Sequence, residues 1–162
     1  MILRHALPTD TEAADEIYRA AKKFMIENGN PDQWSGDYPS GEDQLLGIER
    51  GVSYVVEDGG EVVAAFLFDV GEDPTYKEIF EGEWLNDAPY AFIHRIAVKY
   101  HGRGIIDFCF SECFKKFPNI KIDTHEDNIP MQKALERAGF KRCGIIYLPW
   151  GDARVAYQKA AN

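Results

Sequence analysis

The order of strand and helix patterns predicts an α/β (α+β) sandwich around one mixed sheet of about seven strands. Three observations carry this prediction. β-Rich runs alternate with amphipathic helical patterns along the whole chain. No internal repeat, low-complexity tract or Ser/Gly-rich linker interrupts the sequence, so we expect a single domain over residues 1–162. With 45% hydrophobic residues, a chain of this length buries a core without disulfides or metals.

The first half of the chain predicts a strand, two helices and a hairpin. A T-x-x-E capping box, Thr9 and Glu12, opens the first helix, and Gly29 is its stop signal. The turn Asp58-Gly59-Gly60 separates two β-rich runs and is typical of a hairpin. The predicted elements are strand Met1–Ala6, a helix from Thr9 to about Asn28, a short helix near Asp43–Glu49, and strands Ser53–Glu57 and Glu61–Phe68.

The second half begins with an acidic stretch, Gly71–Asp87, which we call the acidic insertion and expect to be partly ordered. Further along, Gly139-Phe140 suits a Schellman stop at the end of a helix. The predicted elements after the insertion are strand Tyr90–Val98, helix Ile105–Phe117, strand Ile120–His125, helix Ile129–Ala138, and strands Lys141–Tyr147 and Arg154–Lys159.

Charge and cysteine content exclude several classes of protein. The net charge of −9 repels nucleic acid and favours cationic small molecules. The longest apolar runs, such as Val62–Phe68, fall far short of the roughly 20 residues of a membrane helix, and no signal peptide is visible. Cys109 and Cys113 are one helical turn apart, but no histidine stands at ligand spacing. Core thiols are favoured over a zinc pair, because free cysteine is among the most buried residue types. We therefore expect a cytoplasmic protein with no nucleic-acid partner, no membrane contact and no metal.

The most informative segment is a cationic window over residues 88–106. Its nineteen positions hold no Asp or Glu in an otherwise acidic chain. At its centre, His101–Ile106 reads H-G-R-G-I-I, where a predicted strand turns into a helix. The N–H groups of a helix N-terminus bind phosphate, and Gly102 and Gly104 allow the backbone to approach an anion. An ordinary glycine turn beside a solvated basic patch is the alternative.

Three segments together resemble the GNAT N-acetyltransferase superfamily. They are strand Ala91–Val98, the H-G-R-G-I-I loop, and residues 128–140, which read N-I-P-M-Q-K-A-L-E-R-A-G-F. The family patterns are [Q/R]-x-x-G-x-[G/A] for the loop and N-x-x-A-x-x-x-Y-x-x-x-G-F for the later segment. The matching residues are Gly104, Asn128, Gly139 and Phe140. The resemblance covers nearly the whole chain.

The resemblance implies a GNAT-like mixed sheet of seven strands with splayed parallel central strands flanked by helices. Acetyl-CoA would lie between the splayed strands, here Phe92–Val98 and Ile120–His125. It would donate its acetyl group to a small-molecule or peptide amine, which attacks the thioester directly within a ternary complex. A homodimer stays open. Asn128 is either a cofactor contact or a helix N-cap, and the two roles coexist readily. The implied cofactor-binding residues are Ile96, Ala97, Val98, His101, Gly102, Arg103, Gly104, Ile105, Ile106, Asn128 and Met131.

The sequence departs from the family pattern at three positions. His101 replaces Gln or Arg, and Ile106 replaces a small residue. Leu135 stands where the family often has the Tyr that protonates the leaving thiolate. A thiol pKa near ~8.5 makes coenzyme A a fair leaving group without that acid. The alternative function is a catalytically degenerate acyl-CoA-binding sensor or partner-binding module.

The reaction needs a base, because an amine arrives as ammonium. The candidates are His94 on the first splayed strand and Asp123 and His125 on the second. Each histidine also has a purely structural interpretation. His94 would be a core histidine bonded to a neighbouring backbone group, and His125 would pair with Asp123 and stabilise the strand. Tyr147, or water, is the candidate substitute for the missing acid. A separate hypothesis makes Cys143 a nucleophile activated by Asp123 and His125, although no nucleophile-elbow motif accompanies it.

Aromatic residues define the candidate acceptor site. Aromatic faces with nearby acids suit a cationic amine. The alternative is that these side chains anchor loops in the core or line a dimer interface. The candidates are Trp34, Tyr38, Trp84 and Tyr90, with Gln33 beside the first of them.

Overall fold

The computed structural model describes all 162 residues, Met1–Asn162, as seven strands and four helices. The strands are β1 (Ile2–His5), β2 (Ser53–Asp58), β3 (Glu61–Val70), β4 (Ala91–Val98), β5 (Asn119–Thr124), β6 (Lys141–Tyr147) and β7 (Ala153–Ala160). The helices are α1 (Thr11–Glu27), α2 (Gly41–Glu49), α3 (Ile105–Lys116) and α4 (Ile129–Arg137). None of the helices combines the length and hydropathy needed to cross a membrane.

One mixed sheet contains all seven strands in the order β1-β2-β3-β4-β5-β7-β6. Every neighbouring pair is antiparallel except β4 and β5, which are parallel. This central pair is in register only at Ala91↔Ile120 and Phe92↔Lys121, and beyond these residues the two strands diverge. The prediction of a seven-stranded mixed sheet with splayed central strands is confirmed.

A bulge in β4 accompanies the divergence. The β3–β4 register shifts between Ala65 and Leu67, and Arg95 on β4 has a φ of 47°, in the left-handed region. A bulge bends its strand, and strained residues of this kind cluster at functional sites. The Arg95 guanidinium is buried beside α2, where it donates to the Asp43 carbonyl at 3.1 Å and to Ser53 Oγ at 3.3 Å. The bulge is therefore fixed by contacts on the α2 side of the sheet.

Helices cover both faces of the sheet and create two hydrophobic clusters. The larger holds twenty buried residues, including Phe110 of α3 and Leu135 of α4. The smaller packs Ile17 and Tyr18 of α1 against the opposite face. Cys109, Cys113 and the Leu135 side chain have no solvent exposure, so both thiols are core residues. Burial raises the pKa of both thiols.

Most predicted elements are present, but the start of α1 differs from the prediction. The prediction of a capping box at Thr9 and Glu12 is wrong. Instead, a single 3-10 turn spans Pro8–Asp10, and the Asp10 carboxylate accepts from the Leu7 N–H at 2.7 Å and pairs with Arg4 of β1 at 2.7 Å. This ion pair occupies the residue at the helix N-cap, so α1 begins only at Thr11.

The predicted Schellman stop of α4 is confirmed. Gly139 has a φ of 92°, which places it in the left-handed conformation that ends many helices. The Phe140 N–H donates to the Leu135 carbonyl at 2.9 Å, and the Gly139 N–H donates to the Glu136 carbonyl at 3.0 Å. The helix therefore turns sharply into β6 and directs its N-terminus toward the cleft between β4 and β5.

The acidic insertion is anchored to the sheet. Phe80 and Ile145 of β6 exchange two backbone hydrogen bonds of 2.8 Å. The fit is close, because a Cβ at Gly144 would lie 2.5 Å from the Phe80 carbonyl oxygen. Tyr76 is buried, and its carbonyl accepts from Trp84 Nε1 at 2.9 Å. These contacts position the start of the insertion, around Asp73, beside the cleft.

Candidate active site

Three adjoining cavities follow the divergence of β4 and β5. The central cavity has a volume of about 420 Å³, the narrow channel about 90 Å³, and the loop cavity about 370 Å³. The central cavity and the channel share Met25, Ile96 and Met131. The channel and the loop cavity share Val98 and His101. The cavities therefore form one path from the loop at 101–106 to the middle of the sheet.

The edge of β4 presents backbone groups to this path. Beyond Phe92, β4 has no pairing partner on its β5 side. Lys99 N–H donates to the Val63 carbonyl on the β3 side, at 2.8 Å. Because successive N–H groups of a strand point in opposite directions, the N–H groups of Ile96 and Val98 point toward the cleft. An extended ligand in the channel would pair with them as an added strand does.

The loop at 101–106 has the geometry of an anion site. Gly102 and Gly104 have φ values of 77° and 74°, and no atom lies within 4 Å of a Cβ placed on either. The first α3 bond runs from the Phe108 N–H to the Gly104 carbonyl, at 3.0 Å. The preceding N–H groups of Ile105 and Ile106 therefore have no partner within the helix. Unpaired N–H groups and the positive end of the helix dipole both favour a bound anion.

All the predicted cofactor-binding residues except Arg103 line the channel, the loop cavity or both. The Arg103 guanidinium instead lies over the Tyr100 ring, 4.0 Å from its centroid. The His101 ring stacks on Phe24 of α1 with centroids 3.9 Å apart, which brings the loop against α1. Ile106 lines both cavities while packing against the core, so its side chain does not block its own N–H.

Asn128 is the N-cap of α4 and also lines the channel. Its Oδ1 accepts from the Met131 N–H at 3.2 Å. Its Nδ2 donates to Gln33 Oε1 at 2.9 Å. Gln33 Oε1 also accepts from Asn30 Nδ2 at 2.9 Å, so this amide ties the loop after α1 to the start of α4. Asn128 therefore caps α4, as one of the two alternatives predicted, and its contact with the cofactor in the channel stays a prediction.

His94 forms a short hydrogen bond with Asp73 of the acidic insertion. Nε2 of His94 lies 2.6 Å from Asp73 Oδ2, and both residues line the central cavity. Burial acts to raise the pKa of the Asp73 carboxyl, but hydrogen bonds from His94 and Thr75 lower it to about 2. Because an ionised carboxylate only accepts, Nε2 carries the proton and Nδ1 of His94 is left as a base. Tyr90 supports the pair, since its hydroxyl oxygen accepts from the Asp73 N–H at 2.8 Å.

Asp123 lies in the same cavity with a different partner. The Tyr76 hydroxyl donates to Asp123 Oδ2 at 2.7 Å. Burial, and then the nearby Asp123 carboxylate, raise the pKa of the Tyr76 phenol well above its ordinary value. The phenol therefore stays protonated and stabilises the Asp123 carboxylate. The cavity holds two separate acid-containing pairs, one with a histidine and one with a tyrosine.

The structure does not bring His125 and Asp123 together. β5 ends at Thr124, so the strand alternation that placed both on one face stops before His125. Nδ1 of His125 accepts from the Asp127 N–H at 3.0 Å, and the ring lines an adjoining cavity of about 500 Å³. Neither His125 nor Cys143 lines the central cavity. Burial raises the pKa of the Cys143 thiol, which further disfavours the nucleophile hypothesis.

Tyr147 also lies outside the central cavity. It is about half exposed at the end of β6 and packs edge-on against Phe80, with ring centroids 5.4 Å apart. This position gives no support to Tyr147 as a substitute for the missing acid, and that role stays a prediction. Leu135, at the family's Tyr position, is buried in the larger cluster and lines none of the three cavities.

The four aromatic candidates separate into two pairs. Trp34 and Tyr38 line the central cavity, as predicted. Trp84 and Tyr90 do not; their rings lie 4.3 Å and 4.0 Å from the Lys121 ammonium, in another cavity. Both contact the acidic insertion, Trp84 through the Tyr76 carbonyl and Tyr90 through the Asp73 N–H. Trp84 and Tyr90 therefore fit the alternative in which aromatic side chains anchor a loop, rather than the prediction that they contact the acceptor.

Sequence reasoning missed several residues of the central cavity. Asp73 and Thr75 come from an insertion without hydrophobic periodicity. The only local sequence signal there is the D-P-T pattern of residues 73–75, which indicates a turn. Arg154 was expected only as the start of a strand, although an arginine between apolar strand residues is a signal for a buried partner or ligand. The missed residues that line the cavity are Asp73, Thr75, Arg95, Trp150 and Arg154.

Asp73→Asn is expected to remove a pH-dependent part of the stability. The folded pKa of about 2 lies below the ordinary 3.8, so the carboxylate stabilises the fold above pH 3.8 and this contribution is lost as the pH falls through about 2. Wild type should exceed Asp73→Asn by about 2 kcal/mol in the free energy of unfolding at pH 6. Urea denaturation from pH 6 to pH 3 measures this, and a constant difference over that range would count against the pair.

Comparison with known proteins then decides the family. No protein-family model matches the sequence, and no curated protein matches it. A crystal structure of a GNAT-family acetyltransferase from Streptococcus agalactiae is similar with a TM-score of 0.92 and 30% identity, over 99% of this chain and 95% of that chain. The chain belongs to the GNAT family. It is an acetyltransferase.

Two more distant structures agree on the GNAT fold. A GNAT-family acetyltransferase from Listeria monocytogenes has a TM-score of 0.71 and 22% identity, covering 99% of this chain and 94% of that chain. An acetyltransferase from Salmonella typhimurium, solved with its cofactor acetyl-CoA, has a TM-score of 0.63 and 15% identity, covering 99% and 94%. Both cover almost the whole of this GNAT chain, including the splayed strands.

Proposed function

We propose that this GNAT enzyme transfers an acetyl group from acetyl-CoA to a primary amine by direct attack within a ternary complex. One observation carries the proposal: the anion-binding loop connects, through the channel, to a cavity that holds the His94–Asp73 pair. A donor bound along this path would end beside a base. The acetyl-CoA-bound relative from Salmonella typhimurium supports the identity of the donor.

Different segments of the path suit different parts of acetyl-CoA, the pyrophosphate and the pantetheine arm. The N–H groups of residues 101–106 would hold the pyrophosphate, and the cleft-facing N–H of Val98 would pair with a pantetheine amide. The channel walls are mostly apolar, as a pantetheine arm requires. Asn128, which lines the channel, would contact this arm through its amide.

His94 acts as the general base. When bound, acetyl-CoA supplies an acetyl thioester, and a C–N bond forms to the amine as the C–S bond breaks. Asp73 holds the Nε2–H of His94, so Nδ1 takes the first proton that the acceptor ammonium loses. The nitrogen loses its second proton to water once the C–N bond has formed. Asp73 also stabilises the imidazolium that results. Of Ile96 and Val98, Ile96 is the one that also lines the central cavity, so the Ile96 N–H polarises the thioester carbonyl.

No tyrosine protonates the leaving thiolate from α4, because Leu135 is wholly buried in the core. A coenzyme A thiol has a pKa near ~8.5, so it leaves as thiolate at neutral pH without an acid. The degenerate-sensor alternative predicts acetyl-CoA binding with no transfer. Amine-dependent release of the coenzyme A thiol, followed with a thiol reagent, tests the proposal; binding without release by any primary amine would support the sensor.

A pair of Asn128 variants separates the cofactor contact from the N-cap. Serine retains an N-cap oxygen and alanine does not, so only Asn128→Ala should lose about 1 kcal/mol of stability through the cap. Both variants should weaken acetyl-CoA binding, on the order of tenfold, because both lose the amide. Calorimetric titration and thermal unfolding measure the two effects. Wild-type affinity in Asn128→Ser would restrict Asn128 to its capping role.

A further inference from the structure

Arg154 is a buried cation in the central cavity with no anionic partner. The residue is 5% exposed, and its guanidinium donates to the Ala153 carbonyl at 3.0 Å and to the Gln33 carbonyl at 3.2 Å. These two bonds use two of its five N–H groups and leave three for a ligand. Carboxylates line the adjoining cavity, but none lies within 4.0 Å of the guanidinium.

Arg95 adds a second buried positive charge to the same cavity lining. It is 9% exposed, and its Nη1 is fully buried with no hydrogen-bond partner. Its other contacts are to neutral oxygens of Asp43 and Ser53. Gly47 is needed for this arrangement, because a Cβ there would lie 2.7 Å from Nη2 of Arg95. No carboxylate lies within 4.0 Å of this guanidinium either.

Buried charges are costly unless an opposite charge compensates them. Arg154, a buried guanidinium on this cavity without a carboxylate partner, therefore indicates that an anion enters it. Arg95 adds a second positive charge to the lining, although its guanidinium is held on the α2 side. We propose that the acetyl acceptor carries an anionic group beside its amine, a carboxylate or a phosphonate, and that Arg154 binds this group. The substrate class is then the small amino acids and their phosphonate analogues; this inference rests on the proposed function.

The geometry of the cavity places the two ends of such an acceptor. Asp123 pairs with Ala156 across β5 and β7, and Arg154 is two residues from Ala156, so Arg154 and Asp123 share one face of the sheet. His94 and Asp73 line the same cavity from β4 and the acidic insertion. The amine would lie toward the carboxylates and His94, and the anionic group toward Arg154.

Size and local charge disfavour other amines. A cavity of about 420 Å³ admits one amino acid and the end of the donor, but not a folded polypeptide. A polyamine has no anionic group for Arg154 to bind. The net charge of −9 favours cations at long range, but contacts at the site decide which acceptor binds.

The test compares each L-amino acid with its own C-terminal amide as acceptor, by kcat/KM at saturating acetyl-CoA. We expect wild type to prefer the acid at least tenfold, although loss of the carboxylate lowers the amine pKa and so favours the amide chemically. Arg154→Gln should lower kcat/KM for the acid on the order of 100-fold and change the amide less than threefold. Arg154→Lys should retain an intermediate preference, because it keeps the charge without the planar fork.

Arg142→Gln is the matched control, because it removes an exposed arginine of the neighbouring strand and should leave the preference unchanged. In a second comparison, 1-aminoalkylphosphonates replace the amino acids as acceptors. A higher kcat/KM for the phosphonates than for the amino acids would identify phosphonate as the anion that Arg154 binds. An equal loss for acid and amide in Arg154→Gln, or a wild type that uses amides as well as acids, would overturn the inference while leaving acetyl transfer intact. Absence of thiol release with every amine would overturn the proposed function with it.

Discussion

Replacing His94 by alanine lowers kcat by a factor on the order of 10²–10³ while acetyl-CoA affinity stays near that of wild type. Removal of a positioned general base has an effect of this size. His94 is the histidine of the central cavity, and its Nε2 lies 2.6 Å from Asp73 Oδ2. Thiol release at saturating donor and acceptor measures kcat, and titration calorimetry measures the donor affinity.

Three further measurements separate catalysis from structure in this first prediction. His125→Asn is the matched control, because His125 lies in the adjoining cavity, and its activity should stay within about threefold of wild type. Asp73→Asn should lower kcat less than His94→Ala, since Asp73 acts through His94. Thermal unfolding of His94→Ala should stay near that of wild type, which separates lost catalysis from lost structure. Loss of activity in His125→Asn but not in His94→Ala would reverse the assignment of the base.

Gly104→Asp weakens acetyl-CoA binding on the order of 100-fold without unfolding the protein. Gly104 is the N-cap of α3 with a φ of 74°, a left-handed conformation that aspartate adopts at a modest cost, and a negative charge there interacts favourably with the helix dipole. The same negative charge opposes a bound pyrophosphate, and like charges placed side by side cost several kcal/mol. Titration calorimetry measures the affinity, and thermal unfolding should change by only a few degrees.

Gly104→Asn is the control for this second prediction. Asparagine has nearly the size of aspartate and tolerates the left-handed conformation that Gly104 adopts, with a φ of 74°. It should weaken binding less than aspartate does, and the ratio of the two affinities isolates the effect of charge. Equal affinities for the two variants would show that no pyrophosphate binds at this helix N-terminus.

The parts of the site that the sequence predicts are those fixed by local chemistry. The glycines at 102 and 104 determine the loop before α3, and Asn128 and Gly139 mark the two ends of α4. Each of these features needs only a few consecutive residues, so its sequence pattern is recognisable. The resemblance to the GNAT family implied that Ile96 and Val98 face the cleft, and they lie on the edge of β4 that has no partner strand.

The parts that the sequence does not predict depend on contacts between distant segments. Asp73 reaches His94 because Phe80 docks on β6, and no local pattern encodes that docking. Arg154 contacts Gln33 across 121 positions. His125 was misplaced because β5 ends one residue early, and strand alternation applies only within a strand. Boundaries and long-range pairs, rather than element types, account for the differences.

Titration calorimetry of the purified protein with acetyl-CoA is the most direct test of the proposed reaction path. Dissociation in the micromolar range is expected, with the N–H groups of residues 101–106 holding the pyrophosphate and β4 pairing with the pantetheine arm. Binding should weaken on the order of 100-fold in Gly104→Asp, which ties the signal to this loop. No detectable heat at millimolar acetyl-CoA would contradict the site, and would leave a GNAT fold whose loop and cleft do not hold the donor.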